Sequence, residues 1–128
     1  MRAIVIDDSR AMRMILKRLM LRLGYEVFEA GDGREAMDLL AGLPELPEVA
    51  LIDWNMPNMN GLEFVVAARG DARLRQMTLV MVTTESEHSQ IVRALAAGAH
   101  EYVIKPFTED AMIDKLALLG LVPTGAGS

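Results

Sequence analysis

The chain has 128 residues, 52% of them hydrophobic, which is enough for one buried core and too few for two ordinary domains. Its 18 acidic and 13 basic residues leave a formal charge of -5, so there is no basic footprint for nucleic acid and direct DNA readout is not expected. Without cysteine the chain can build neither a disulfide framework nor a thiolate zinc site, and a cytoplasmic location is the expectation.

Met1 and Arg2 lead straight into a four-residue apolar run and two aspartates, unlike the long apolar stretch of a signal peptide. No later run approaches the ~20 residues needed for a membrane span. A soluble protein that does not engage membranes is expected. The ten methionines read as adaptable core filler spread over several elements.

In chain order, a first strand at Ala3 to Ile6 ends in Asp7 and Asp8. Ser9 then offers an N-cap, and Met12, Ile15, Leu16, Leu19, Met20 and Leu23 recur at helical spacing while Arg13, Lys17, Arg18 and Arg22 face away. Gly24 stops that helix. A second strand at Glu26 to Ala30 precedes a helix over Gly33 to Leu43, and a third at Val49 to Ile52 ends in Asp53 and precedes a helix over Leu62 to Arg69. A fourth strand, Thr78 to Val82, runs into Thr83 and a helix over Ser86 to Ala97. The last strand, Tyr102 to Ile104, ends in Lys105 and is followed by a helix over Glu109 to Leu119. From Gly120 a tail rich in Gly and Pro is expected to fray, with no second hydrophobic pattern after it.

Five short Val- and Ile-rich runs alternating with helices predict repeated βαβ units around a doubly wound parallel sheet, an α/β fold. Ligands of such sheets bind beyond the carboxyl ends of the strands, where strand order reverses. Asp7, Asp8, Asp53, Thr83 and Lys105 all fall at that edge. A single Asp after a strand is ordinarily a cap or a turn former; three together repel unless a cation lies among them or their pKa values rise. Oxygen ligands without His or Cys point to Mg²⁺. A carboxylate can act as a nucleophile toward phosphorus, helped mainly by positioning and charge neutralisation. Asp53 suits the nucleophile, Asp7 and Asp8 the metal, and Lys105 and Thr83 the phosphoryl oxygens.

The segments VIDDSRAMR, IDWNMPNMNGLEF, VMVTTE and GAHEYVIKPF, in this order and spanning residues 5 to 107, resemble the response-regulator receiver domain family, and within it the chemotaxis subtype. The resemblance implies a flavodoxin-like sheet of order 2-1-3-4-5 with five helices, a receiver domain over residues 1–119 and a flexible tail over 120–128. It implies that Asp53 accepts the phosphoryl group and that Asp8 and Asp53 hold Mg²⁺ directly. Asp7 would help through water, and the backbone carbonyl of Asn55 would complete the set. Thr83 and Tyr102 match the family's switch pair, Lys105 its lysine, and Lys105–Pro106 a bond that is cis in most relatives. The implied output surface is the fourth helix, fifth strand and fifth helix, with Ile91, Tyr102 and Lys115 as its candidates.

Asn55 and Glu85 match positions that tune dephosphorylation in the chemotaxis subtype, whereas Thr84 stands where relatives more often carry Ala or Gly, and its bulk is expected to narrow access to the site. Glu87 and His88 replace basic residues at the start of the fourth helix, which argues against a flagellar-motor target. His88 and His100 read as solvated or capping side chains. Expected partners are a histidine kinase, docking near Arg13 and Lys17, and a downstream protein, with the chain itself a monomer; a phosphorelay intermediate outside chemotaxis is the alternative. On this reading the protein is a phosphoacceptor switch that assists its own phosphorylation and dephosphorylation, not an enzyme acting on an external substrate. A Mg²⁺-dependent phosphohydrolase would need an acid where Asn55 stands, and an FMN binder a Ser/Thr/Gly-rich loop where Asp7 and Asp8 stand. A pseudo-receiver would lack some of the phosphorylation residues, all of which are present.

Overall fold

The computed structural model describes residues 1–122. Strands form where the apolar runs are: β1 at Arg2–Ile6, β2 at Glu26–Ala30, β3 at Val49–Ile52, β4 at Thr78–Thr83 and β5 at Glu101–Ile104. Helices occupy the stretches between and after them: α1 at Arg10–Arg22, α2 at Gly33–Ala41, α3 at Gly61–Gly70, α4 at His88–Ala97 and α5 at Glu109–Leu118. All strand pairs are parallel, in the order β2-β1-β3-β4-β5, so the expected doubly wound α/β sheet is present.

Period-two alternation divides the core between the two faces of the sheet. Ile4, Ile6, Ala50, Ile52, Leu79 and Met81 point to the side covered by α2, α3 and α4, where Leu40, Phe64 and Ala94 meet them. Ala3, Val5, Val49, Leu51, Val80 and Val82 point to the other side, against Leu16 and Met20 of α1 and Met112 and Leu116 of α5. Because both faces are covered, the central strands are apolar from Ala3 to Ile6, Val49 to Ile52 and Leu79 to Val82, up to the carboxyl edge.

Side chains fix where most helices start. Ser9 accepts from the Met12 N–H at 3.2 Å, Asp32 from Glu35 at 2.8 Å and Thr108 from Ala111 at 3.1 Å, while Asn60 and Glu63 form a reciprocal capping box. The fourth helix departs from expectation. It begins at His88 rather than Ser86, behind Glu87, which makes no side-chain cap. The second helix stops at Ala41, two residues early, where the Arg73 guanidinium donates to the carbonyls of Leu40 and Leu43. A 3₁₀ turn at Ala72–Leu74, unanticipated from the periodicity, buries Leu74. In α1, Ile15 is 51% exposed, because the buried stripe runs through Leu16, Leu19 and Met20 and leaves Ile15 at its edge.

The tail expected to fray from Gly120 is tied down in its described part. Leu121 is buried in the α1/α5 face of the core, and its carbonyl accepts a hydrogen bond from the Tyr25 hydroxyl. Pro123 to Ser128 lie outside the described residues. Packed chain thus continues past residue 119, and Leu121→Ala is expected to lower stability by about 2 kcal/mol, the low end for a buried leucine because Leu121 sits at the rim of the core and keeps 8% of its surface exposed. Urea denaturation reads this directly, and an unchanged midpoint would mean that the anchor contributes nothing.

Candidate functional site

The register of β1 on β3 aligns Ile6 with Ile52, and the Asp53 N–H donates to the Ile6 carbonyl at 2.9 Å. The next residue of each strand, Asp7 and Asp53, therefore emerges side by side at the point where strand order reverses. Register of β4 on β5 aligns Thr83 with Ile104, and Lys105 N–H donates to the Thr83 carbonyl at 2.9 Å. Carboxylate oxygens of Asp7, Asp8 and Asp53 lie within 4.8 Å of one another. The Lys105 ammonium stands 2.7 Å from Asp7 Oδ2 and 3.5 Å from Asp53 Oδ1. The Lys105–Pro106 bond is cis, as the resemblance implied.

Asp7 is 1% and Asp53 8% exposed, while Asp8 faces solvent. Three carboxylates against one ammonium leave an excess of negative charge at a half-open edge. That donor set, oxygen only and partly solvated, fits a hard divalent cation such as Mg²⁺ and does not fit a soft metal. Burial holds the Asp53 carboxyl above the usual carboxylate range, and the neighbouring Asp7 adds to the effect. The Lys105 ammonium, the Thr83 hydroxyl and the Trp54 N–H pull it back only in part.

Close packing fixes the loop that follows Asp53. Gly61 N–H donates to the Trp54 carbonyl at 2.9 Å, and a Cβ on Gly61 would lie 2.1 Å from the Asp53 carbonyl oxygen, so only glycine lets α3 approach this strand end. Asn58, with φ of 64°, donates to Asp32 Oδ2 at 3.0 Å and ties this loop to the start of α2. Neither contact is visible as a periodicity.

Glu85 joins the loops on the other side. Its Oε1 accepts from Asn55 Nδ2 at 2.6 Å, its N–H donates to Thr83 Oγ1 at 3.3 Å, and its carbonyl accepts from the Tyr102 hydroxyl at 2.7 Å. The Tyr102 ring is already turned inward, packed with the core on the α2/α3/α4 side. Its burial, with Glu85 and Asp53 nearby, raises the phenol's pKa and keeps it a donor at neutral pH. Thr84 is exposed beside this loop.

The candidate output residues divide. Tyr102 and Lys115 line one groove of about 390 Å³ with Ile104, Pro106, Phe107 and Ala111, and Lys115 pairs with Glu101 at 3.3 Å. Ile91 instead packs toward the core. The apolar side chains that α4 shows to solvent are Val92 and Leu95, which the sequence reading passed over because a helix period does not say which stripe is covered. Arg13 and Lys17, named above as a docking area, are both engaged by Glu29, at 3.5 and 3.2 Å. His88 is exposed at the start of α4, and His100 Nδ1 accepts from the Leu79 N–H at 3.1 Å.

A parallel sheet in this order, with acids at the reversal, a hydroxyl on β4 and a lysine after β5, is the architecture of a signalling receiver. The response regulator receiver domain family matches residues 3–117, and the chain belongs to that family. It is 42% identical over 128 residues to a chemotaxis protein CheY homolog of Campylobacter jejuni, covering 99% of this chain and 96% of the relative. Identity to chemotaxis protein CheY1 of Helicobacter pylori is also 42%, over 93% of this chain and 96% of the relative. Among solved structures, chemotaxis protein CheY4 of Vibrio cholerae superposes with a TM-score of 0.83 at 32% identity, covering 91% of this chain and 96% of that one. Among the described residues no helix is long and apolar enough to cross a membrane.

An acid whose pKa is higher in the folded state favours folding at low pH, and that contribution is lost as pH rises from its unfolded value of ~3.9 through the folded one. Asp53→Asn removes the penalty of a buried charge, so its urea midpoint should exceed that of the parent at neutral pH and converge with it as pH falls toward ~4. Coincident midpoints at neutral pH would show that the carboxylate is not strained by burial.

Proposed function

We propose that this receiver acts as a response regulator whose Asp53 takes a phosphoryl group from a histidine kinase in a Mg²⁺-dependent reaction, with chemotaxis as its pathway. The observation that carries this reading is the convergence of Asp7, Asp8 and Asp53 within 4.8 Å, with the Lys105 ammonium 3.5 Å from Asp53. The chemotaxis assignment rests on the relatives, which are named as chemotaxis proteins.

Asp7, Asp8, Asp53 and the Asn55 carbonyl would hold the metal, which when bound supplies charge neutralisation for the phosphoryl oxygens. An Asp53 carboxylate oxygen attacks phosphorus while the bond from phosphorus to the donor's imidazole nitrogen breaks and that nitrogen takes up a proton. Lys105, 3.5 Å from Asp53 Oδ1, offsets the charge gathering on the transferred group. Thr83 then donates to a phosphoryl oxygen, which reorganises its contact with the Glu85 N–H. Glu85 also carries the Tyr102 hydroxyl, so the change reaches β5 and the groove lined by Tyr102 and Lys115, where a protein target binds. Asn55, with Glu85, shapes the path of water to the phosphoryl group.

Incubation with acetyl phosphate followed by intact mass measurement tests this. One added phosphoryl unit is expected, requiring Mg²⁺ and absent from Asp53→Asn; an adduct that persists in that variant would place the acceptor elsewhere. Thr84→Ala, which removes bulk beside the site, is expected to accept acetyl phosphate and to lose the phosphoryl group several-fold faster. Parental rates in that variant would show that Thr84 does not guard access.

A further inference from the structure

The Arg13 guanidinium lies beside the acid cluster, yet among the described residues it makes no ion pair with Asp7, Asp8 or Asp53. Its Nη1 donates instead to the backbone carbonyl of Asp7 at 2.6 Å, and its Nε lies 3.5 Å from Glu29 Oε1 on β2. Lys17 grips the other oxygen of Glu29 at 3.2 Å, so the brace is anchored to the neighbouring strand.

The bonded carbonyl belongs to the peptide that joins Asp7 to Asp8. Asp7 is pinned on every other side. Its N–H donates to the Ala30 carbonyl at 3.1 Å, its Oδ1 accepts from the Ser9 N–H at 2.8 Å, and its Oδ2 meets Lys105. Asp8 is exposed, and among the described residues no hydrogen bond or ion pair holds its side chain. The direction in which Asp8 leaves the chain is therefore set by its backbone, and the plane of the peptide preceding it is the one that Arg13 fixes.

We infer that Arg13 is a positioning residue for the divalent-cation site, orienting the Asp7–Asp8 peptide so that the Asp8 carboxylate is presented beside Asp53. This rests on the metal reading given above. Charge alone makes the opposite prediction, because a fixed cation near the site repels a dication and its removal should tighten binding.

Mg²⁺ titration followed by the fluorescence of Trp54, which adjoins Asp53, separates the two, with the Mg²⁺-dependent rise in Tm as a second readout. Arg13→Ala is expected to weaken Mg²⁺ binding by about tenfold, the low end for loss of a partner that orients a ligand. Arg10→Ala, which removes a charge from the same helix one turn earlier, should bind Mg²⁺ as tightly as the parent or more tightly. Arg13→Lys keeps the charge and one donor but not the fork that spans carbonyl and Glu29, and should fall between the parent and Arg13→Ala. Binding by Arg13→Ala equal to or tighter than the parent's overturns the inference alone. If that variant fails to fold, parental affinity in Arg13→Lys overturns it instead. A parent protein that shows no Mg²⁺ response removes the metal reading itself and the inference with it.

Discussion

Two strands of one sheet end in carboxylates at adjacent positions, and the backbone register of β1 on β3 allows them no way to part. A pair of like charges ~4 Å apart repels by roughly 4 kcal/mol at the effective dielectric of a protein surface, and here a third carboxylate stands with them. Much of the surrounding structure answers that repulsion. The Lys105 ammonium enters from β5, Ser9 N–H caps Asp7, and the Asp53 carboxyl keeps a higher affinity for its proton than an exposed acid has. The sheet that forces the conflict is also stiff enough to sustain it, because its central strands are buried on both faces.

That stiffness ends at the loops. The segments after β3 and β4 are joined to each other through Glu85, which bonds Asn55 with its side chain and Thr83 and Tyr102 with its backbone. A disturbance at the acidic edge has a short route out through this residue, since three partners on three different segments cannot all be satisfied once one of them moves. The route leads to β5 and the groove beside it, on the far side of the sheet order from Asp7.

Sequence alone showed the strands, the helices and the acids at the carboxyl edge, because burial on both faces makes strands continuous apolar runs and because charges at strand ends interrupt those runs abruptly. The order of the strands came from resemblance; periodicity contains no information about which parallel neighbours pair. Several structural contacts were not legible. Arg13 reads as one more charge on a solvated helix face until the fold brings the Asp7 carbonyl within its reach. Gly61 reads as an ordinary helix start until α3 presses on the Asp53 carbonyl. Ile15 shows the converse failure, as it matches a helical stripe but the packing covers Leu16, Leu19 and Met20 more fully, whereas Ile91, a candidate for the output surface, packs toward the core. Contacts between segments distant in sequence decide these cases, and they leave no periodic trace.

Among the described residues, the start of α4 differs from those of α1, α2, α3 and α5 in being closed by backbone contacts only, from Gln90 and Ile91 to the Glu87 carbonyl. A missing cap of this kind is worth about 1 kcal/mol, close to the thermal energy of a few degrees of freedom. The first turn of α4 therefore unwinds and rewinds more cheaply than any other helix start in the fold, and it follows directly from the loop that Glu85 controls. A helix end on such a shallow slope works like a loosely sprung hinge, which offers little resistance to a change of bonding in the loop before it.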